Sequence, residues 1–173
     1  MRILGRVSFS RALRDPVLFG LWIGMLFGLW NLIYSILDPL AEDSAVALLS
    51  FYGPMFLMWG VVGFVAFADS HRLRGAMRSG SIVALVTFAV FTILVGVRDN
   101  LLLEQLTARA DWQNLMVRFR ASTFRSLRLY VNYVGITGAP LKLLVATGIG
   151  AAMGLLGGLA HRAAPWRLRN EEL

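Results

Sequence analysis

The sequence predicts an all-α polytopic membrane protein with four transmembrane helices and an amphipathic interfacial helix between helices 3 and 4. The chain has 173 residues, of which 57% are hydrophobic and only 16% are charged. In soluble domains, about a quarter of the residues are charged. The charges cluster between long apolar runs, which is typical of a chain whose solvent is the lipid bilayer. The sequence is therefore interpreted as a single membrane domain, residues 1–173.

Four apolar stretches carry the predicted spans. They lie at residues 16–37, 45–68, 80–97 and 141–160. The first reaches roughly 33 Å as a helix, against about 30 Å for the hydrocarbon core of a bilayer. Within the spans, Pro54 predicts a kink in the second, because proline has no backbone N–H to donate. Lys142 is expected in the first turn of the fourth span, where its side chain can reach the headgroups.

The segment 98–136 places an apolar stripe opposite an arginine-rich stripe at helical spacing. Two interpretations stay open, and both can hold together: the segment lies in the membrane interface, or it caps the bundle of its own chain. In the first case, Arg118, Arg125 and Arg128 bind anionic headgroups or an acidic partner surface. Pro140 is expected to mark the point where the chain turns back into the membrane.

Small residues recur at every fourth position in two of the spans and form glycine zippers. Such a stripe lets transmembrane backbones approach closely, since packing replaces the hydrophobic drive that lipid does not supply. The stripes predict either packing of the first span on the fourth, or an interface for a homo-oligomer or a larger membrane complex. Their members are Gly20, Gly24 and Gly28 in the first span and Ala146, Gly150, Gly154 and Gly158 in the fourth.

Polar side chains within the spans are few. Asn31 is the strongest hydrogen-bonding side chain in any span, and it predicts either an interhelical hydrogen bond or a ligand contact. Together with Thr87 and Thr92 it would line a path for a solute. No carboxylate, arginine or histidine lies in the middle of a predicted span, which argues against a proton-coupled transporter or pump.

The tryptophans and other aromatic residues need no cofactor to explain them. Tyr34 and Trp112 are expected near the membrane interfaces, as members of an aromatic belt. Trp22, Trp30 and Trp59 lie deeper in their spans, and they are expected to pack between helices.

The residue patterns of catalysis and metal binding are missing from the sequence. The chain has no cysteine, which excludes thiolate catalysis, disulfides and iron–sulfur ligation. The residue types of a hydrolase triad occur side by side at 69–71, whereas a triad converges from separate elements. His71 and His161 are too few ligands to predict a metal or haem site. The sequence therefore predicts no enzyme, no cofactor and no metal.

The net charge of +7 is read as a marker of topology and not of nucleic-acid binding, because the arginines flank hydrophobic spans. One side holds both termini and the 69–79 loop. The other side holds the acidic loop 38–44 and the long segment before the fourth span. This asymmetry predicts both termini in the cytoplasm, in a bacterial inner membrane. The arginines on the first side are Arg2, Arg6, Arg11, Arg14, Arg72, Arg74, Arg78, Arg162, Arg167 and Arg169.

The chain resembles small bacterial four-span membrane proteins of unassigned function in its four spans, its amphipathic stretch and its small-residue run Thr-Gly-Ile-Gly-Ala-Ala-Met-Gly-Leu-Leu-Gly-Gly at 147–158. The resemblance is architectural and implies a class but no activity. The sequence favours a non-enzymatic structural or accessory subunit that associates through its glycine faces, with the bilayer and its anionic headgroups as partners. The alternative is a small transporter or channel for a neutral or weakly polar solute, lined by Asn31, Thr87 and Thr92.

Overall fold

The structure is a computed structural model that describes residues 14–38 and 45–164. In these two ranges the regular secondary structure is entirely helical. Four of the helices are long and apolar enough to cross a membrane, and short helical segments lie between the third and the fourth of them. The predicted fold class is therefore confirmed. Several residues of the topology argument lie outside the described ranges: Arg2, Arg6, Arg11, Glu42, Asp43, Arg167 and Arg169.

The helices are α1 (Pro16–Leu37), α2 (Ala45–Ser70), α3 (Leu73–Leu101), α4 (Leu103–Thr107), α5 (Gln113–Arg120) and α6 (Leu127–Ala163), with a 3-10 turn at Ala110–Trp112 before α5. The spanning helices α1, α2, α3 and α6 alternate in direction. We call the end of the bundle with the start of α1 and the end of α6 the terminal end. The opposite end is the connector end, because residues 102–126, the connector, join α3 to α6 there.

The start of α1 is set by two adjacent residues. The carboxylate of Asp15 accepts hydrogen bonds from the backbone N–H groups of Val17 at 2.9 Å and Leu18 at 3.2 Å. Pro16 fits the first turn because the N–H that it lacks has no partner within a helix. The helix therefore begins where the sequence predicts the first span to begin.

The third spanning helix is longer than the predicted span 80–97. It begins at Leu73, which shortens the predicted 69–79 loop to a turn of two residues. The added turns contain Ala76, which is fully buried and whose backbone carbonyl contacts Gly154 of α6. Close packing on α6 therefore extends the helix beyond the point where the apolar run ends.

The turn between α2 and α3 consists of His71 and Arg72. His71 has a φ of 53°, in the left-handed region, and its N–H donates to the carbonyl of Phe67 at 2.8 Å. A left-handed residue directly after a helix satisfies one of the last free carbonyls and reverses the chain. The tight turn holds α2 and α3 antiparallel.

Two spanning helices run through an internal proline. α2 contains Pro54, where the kink stays a prediction, and α6 contains Pro140. The expectation that Pro140 marks the turn back into the membrane was wrong, since α6 already begins at Leu127. A proline removes one hydrogen bond from a helix. In α6 the loss is offset by contacts of the early turns, where Asn132 exchanges hydrogen bonds of 2.7 and 3.2 Å with Asn100 of α3.

The central element of the bundle is α3. It packs on α1 and on α6, whereas α2 packs mainly on α6 and to a lesser extent on α3. The core between these helices is apolar, with Trp59, Met55, Val62 and Val83 at most 1% exposed. Contact between α1 and α2 is slight, and this separation creates the cleft described below.

The tryptophans divide between the core and the outer surface. Trp59 of α2 is fully buried, as predicted, but Trp22 and Trp30 of α1 are 67% and 59% exposed. The expectation that these two pack between helices was wrong. The reason is that α1 packs closely only on α3. Trp22 lies off this packing face, and Trp30 borders the cleft between α1 and α2.

The connector forms a second, smaller core against the start of α6. The predicted segment 98–136 is not one continuous helix, because its two ends belong to α3 and α6 and its middle is broken into short helices. Several of its apolar side chains pack on their own chain, as the capping interpretation requires, whereas Val117 is 63% exposed. The lipid-interface interpretation stays a prediction. This core contains Leu106, Trp112 and Val131, with Leu102, Leu103, Leu115 and Leu127 packed against them.

Candidate functional site

The glycine stripe of α1 packs against α3 of the same chain. A Cβ built on Gly24 would lie 2.7 Å from both the carbonyl oxygen of Thr87 and the Cβ of Val90. One built on Gly20 would lie 2.9 Å from the carbonyl oxygen of Val83. Gly28 faces the side chain of Leu94 in the same way. No larger residue fits at these positions without moving α1 away from α3.

The glycine stripe of α6 packs on a different face of α3. Gly150 contacts Gly80 and Ala84, and Gly154 contacts Gly80 and Ala76. Both stripes therefore meet α3, and the expected packing of the first span directly on the fourth was wrong. The remaining members of the α6 stripe, Ala146 and Gly158, are also buried in the chain.

A third stripe of small residues in α3 explains this arrangement. Ala76, Gly80 and Ala84 recur at the same four-residue spacing, and each is buried against α6. The stripe is hard to recognise in the sequence because two of its members are alanines and two arginines, Arg74 and Arg78, lie beside it. α2 joins α6 by the same means, since Gly63 contacts Gly154 and Gly157 contacts the carbonyl of Gly60.

A cleft opens between α1 and α2 because these helices are held by different neighbours. α1 is fixed on α3, and α2 is fixed on α6. The two approach each other through the rings of Phe27 and Phe51, whose centroids lie 5.4 Å apart at 84°. Phe51 also contacts Phe91 of α3, with the two ring centroids 5.5 Å apart. These rings form an aromatic wall of the cleft.

The cleft has a volume of about 730 Å³, which is within the range of small-molecule sites. Its lining is aromatic over much of its surface, with polar groups at a few positions. We call it the polar cleft. Its polar and charged side chains are Asn31, Tyr34, Ser50, Tyr52, Thr92, Arg98 and Lys142, and its apolar ones are Phe27, Trp30, Leu48, Phe51, Phe88, Phe91 and Val95.

Asn31 is held in the cleft by an arginine. Arg98 donates from Nη1 to Oδ1 of Asn31 at 2.9 Å, and its Nε and Nη2 donate to Oδ1 of Asp99 at 3.0 and 2.7 Å. Asn31 thus makes a hydrogen bond between α1 and α3. Arg98 was predicted as the first residue of the segment 98–136, directly after the third span, but it lies in the last turn of α3.

The two threonines predicted to line a path are separated by the structure. Thr92 lines the polar cleft. Thr87 is fully buried, and its hydroxyl donates to the carbonyl of Gly20 at 3.3 Å. Thr87 therefore joins α3 to α1 and lies away from the cleft.

Lys142 lies in the interior of α6, not in its first turn as predicted, because the helix begins at Leu127. It is the chain's only lysine. Its side chain is exposed, lines the polar cleft, and makes no hydrogen bond or ion pair with a described residue. The sequence does not reveal that Lys142 lies inside a helix, because the polar and glycine-rich residues before Pro140 resemble a loop.

The level of Lys142 in the bundle follows from the antiparallel register of α3 and α6. Ser81 donates to the carbonyl of Thr147, and Asn100 pairs with Asn132. Between these contacts, Lys142 lies level with about residues 86–90 of α3, in the middle of the uncharged stretch of that helix. Arg98 lies roughly 15 Å further along α3, toward the connector end.

A second cavity of about 350 Å³ adjoins the first and shares Tyr52, Phe88 and Lys142 with it. We call it the apolar groove. Apart from Lys142 and Tyr52, its walls are hydrocarbon and aromatic side chains. These are Phe56, Trp59, Leu141, Val145, Ala146 and Ile149 along with Phe88.

The arginines predicted to contact headgroups lie away from both cavities. Arg118, Arg125 and Arg128 are exposed on the connector and the start of α6, and Arg128 also donates to the carbonyl of Asn100 at 3.4 Å. Arg109 is different, since it is buried and bonds to both carboxylate oxygens of Asp111 at 2.8 and 2.7 Å. The exposed three form a basic surface at the connector end.

At the terminal end, the side chains of Asp69, Ser70 and His161 contact other parts of the bundle. Ser70 donates its hydroxyl to the carbonyl of Ala66 at 2.6 Å, and Asp69 lies 3.6 Å from Arg14. His161 is packed on the rings of Phe64 and Phe67. Among the described residues, no three histidine, aspartate, glutamate or cysteine side chains cluster as metal ligands would.

Comparisons with protein-family models, with curated proteins and with solved structures found no match to this chain. The interpretation of its function therefore relies on the geometry of the polar cleft and the apolar groove.

Proposed function

We propose that this chain is a non-enzymatic membrane protein that binds a small ligand in the polar cleft, as a small carrier or channel does. The observation that supports this proposal is Lys142, an ionisable side chain inside a spanning helix that faces a cavity of about 730 Å³. Asn31, Thr92 and Arg98 line the same cavity and supply hydrogen-bonding groups around it.

The cost of a lysine inside a span supports a functional role. A charged lysine near the middle of a membrane helix costs about 2.5–3.5 kcal/mol, so such residues are rare and usually belong to ligand or ion pathways. Lys142 makes no ion pair with a described residue that would offset this cost. A water-filled or ligand-filled cleft offsets it instead.

The proposed ligand differs in charge from the neutral or weakly polar solute of the alternative hypothesis that the sequence left open. A path for a neutral solute needs no cation, whereas this cleft presents Lys142 and Arg98. Asn31 and Thr92 remain part of the proposed lining, and Thr87 does not. The cleft therefore suits a ligand that carries negative charge.

Association as an accessory subunit stays a prediction and is second to ligand binding in our proposal. The faces proposed for it are covered within the chain, since Gly24 meets α3 and Gly154 meets both α2 and α3. A partner helix would have to replace one of these contacts. A homo-oligomer or larger complex would instead use another surface, such as the exposed side of α1.

The membrane and the orientation are also proposals. We place the chain in a bacterial inner membrane with both termini in the cytoplasm, because the terminal end carries Arg14, Arg72, Arg74, Arg78 and Arg162 near the span ends. The polar cleft would then lie toward the outer half of the membrane. Labelling of single cysteines introduced at either end, in right-side-out vesicles, tests this placement.

Native mass spectrometry of the gently extracted protein tests the proposed function. We expect the wild type to retain a small molecule, Lys142→Ala to lose it and Lys142→Arg to keep it. Arg74→Ala, which removes an exposed cation at the terminal end, serves as the matched control and should keep it. A complex whose small-molecule content is the same in Lys142→Ala contradicts the proposal, and a co-purifying protein subunit supports the accessory role.

A further inference from the structure

We propose that the ligand is an anionic amphiphile with one long apolar chain, whose acidic head lies in the polar cleft lined by Lys142 and Arg98 and whose chain lies in the apolar groove. This inference rests on the proposed function, because it names the ligand class of the same cleft. It follows from the continuity of a cationic cavity with an apolar one and from the unused donors of the two cations.

The cationic part of the site retains free binding capacity. A guanidinium has five N–H donors, and Arg98 has three hydrogen bonds, two to Asp99 and one to Asn31. Two donors are therefore not used by any described residue. Asp99 offsets the charge of Arg98, and Lys142 adds a further positive charge with no described partner. Among the described residues that line the cleft, the charged side chains are Lys142 and Arg98, and both are cations, which favours a carboxylate or phosphate.

The apolar groove continues from the cationic part without a gap. Tyr52, Phe88 and Lys142 belong to the walls of both cavities. Further along, the groove is lined by Phe56 and Trp59, whose ring centroids lie 5.0 Å apart. A head bound at Lys142 thus has an apolar surface directly beside it.

The open side of the groove lies on the outer surface of the bundle, beside exposed apolar side chains of α6. Leu141 and Val145 of α6 line the groove and are 67% and 53% exposed. An acyl or isoprenoid chain can therefore enter from the side of the bundle. A free inorganic anion would use only the cationic part and leave the groove, about 350 Å³, without an occupant.

The single lysine of the chain provides a direct test with the whole protein. Acetylation of Lys142 in non-ionic detergent is followed by peptide mass spectrometry, which separates it from the terminal amine. Three probes are compared at equal concentration: oleate, monoolein and inorganic phosphate. Monoolein carries the same chain as oleate with a neutral head, and phosphate carries charge without a chain.

Oleate is expected to slow acetylation of Lys142 about ten-fold at a concentration near ten times its Kd, because the free site is then about one tenth of the total. Monoolein and phosphate are expected to slow acetylation less than about two-fold, since monoolein lacks the charged head and phosphate lacks the apolar chain. Arg98→Gln should weaken the protection by oleate. Val145→Phe should do so too, as it narrows the groove, while Leu144→Phe on the neighbouring exposed position should not.

Each contrary result overturns the inference in a different way. Equal protection by monoolein shows that the head charge is irrelevant, and equal protection by phosphate shows that the chain is irrelevant. In both cases the cleft still binds a ligand and the proposed function stands. No protection by any probe overturns the amphiphile, and the proposed function fails as well only if native mass spectrometry finds no small molecule that depends on Lys142.

Discussion

Arg98 of α3 donates a hydrogen bond of 2.9 Å to Asn31 of α1 at the mouth of the polar cleft. The same guanidinium is held by Asp99 through two further hydrogen bonds. The pair fixes the distance between α1 and α3 at the connector end. These hydrogen bonds also keep the charged guanidinium of Arg98 at the cleft wall, since it would have to break them to reach the headgroups.

The Asn31–Arg98 hydrogen bond should be measurable by a double-mutant cycle. We expect Asn31→Ala, Arg98→Ala and the double variant to give a coupling free energy of about 0.6 kcal/mol, with an upper range near 1.7 kcal/mol, as for other hydrogen bonds between membrane helices. Unfolding in detergent monitored by circular dichroism measures it. Additive effects of the two substitutions would contradict the contact.

Tight packing of α6 on α3 predicts opposite results for two glycines of the same helix. Gly154→Ala should destabilise the fold by about 1–3 kcal/mol, because the new Cβ meets the backbone of Ala76 and Gly80, which has no rotamer to move away. Gly148→Ala is the matched control, since its Cβ would meet nothing within 4 Å. It should be neutral or gain about 0.5–1 kcal/mol from helix propensity.

The same pair also separates packing within the chain from assembly between chains. Gly154→Ala is expected to lower the unfolding temperature without changing the native mass. If it changes the native mass and leaves the unfolding temperature as it is, the stripe is an interface between chains after all.

Much of the fold follows from the sequence, but the neighbours of each helix do not. Four apolar runs predict four spanning helices, and the spacing of Gly20, Gly24 and Gly28 predicts a closely packed face. A stripe of small residues shows that another helix can approach this face closely, but it does not show which helix does so. Both stripes pack on α3, since α3 offers Ala76, Gly80 and Ala84 to one of them and the carbonyls of Val83 and Thr87 to the other.

The sequence predicts the candidate site only in part, because it does not give the true ends of the two helices that carry Lys142 and Arg98. Asn31 and Thr92 line the cleft, and their role in a solute path stays a prediction. Lys142 and Arg98 were assigned to span ends because hydropathy alone sets a boundary where the uncharged run stops. Tertiary contacts extend both helices beyond that boundary, through the Asn100–Asn132 pair. These contacts join residues far apart in sequence, and no local pattern reveals them.

The capping role of the connector predicts a large effect at Trp112. This side chain is 9% exposed and packs with Leu106 and Val131. Trp112→Ala should cost about 3 kcal/mol of local stability through the cavity that it leaves. Tryptic cleavage after Arg118 and neighbouring arginines should then become faster. Trp22→Ala, on the outer face of α1, is the control and should leave the cleavage rate unchanged.

The basic surface of the connector predicts selective contact with anionic lipid. Arg118→Gln combined with Arg125→Gln should weaken retention of anionic lipid by about 1 kcal/mol per arginine, because each removes one charge near the headgroups. Mass spectrometry of the lipid retained in nanodiscs of mixed composition measures the change. Arg74→Gln with Arg78→Gln provides a charge-matched control at the terminal end. An equal loss in both pairs would show a general charge effect and contradict a specific connector surface.

The most direct test of the polar cleft uses two threonines of α3 in a chain without cysteine. Thr92 lines the cleft, whereas Thr87 is fully buried between α3 and α1. In the folded protein, a small water-soluble thiol reagent should label the Thr92→Cys variant rapidly and leave the Thr87→Cys variant unlabelled until it is unfolded. Protection of both cysteines, or equal labelling of both, would contradict a cleft that admits a ligand between α1 and α2.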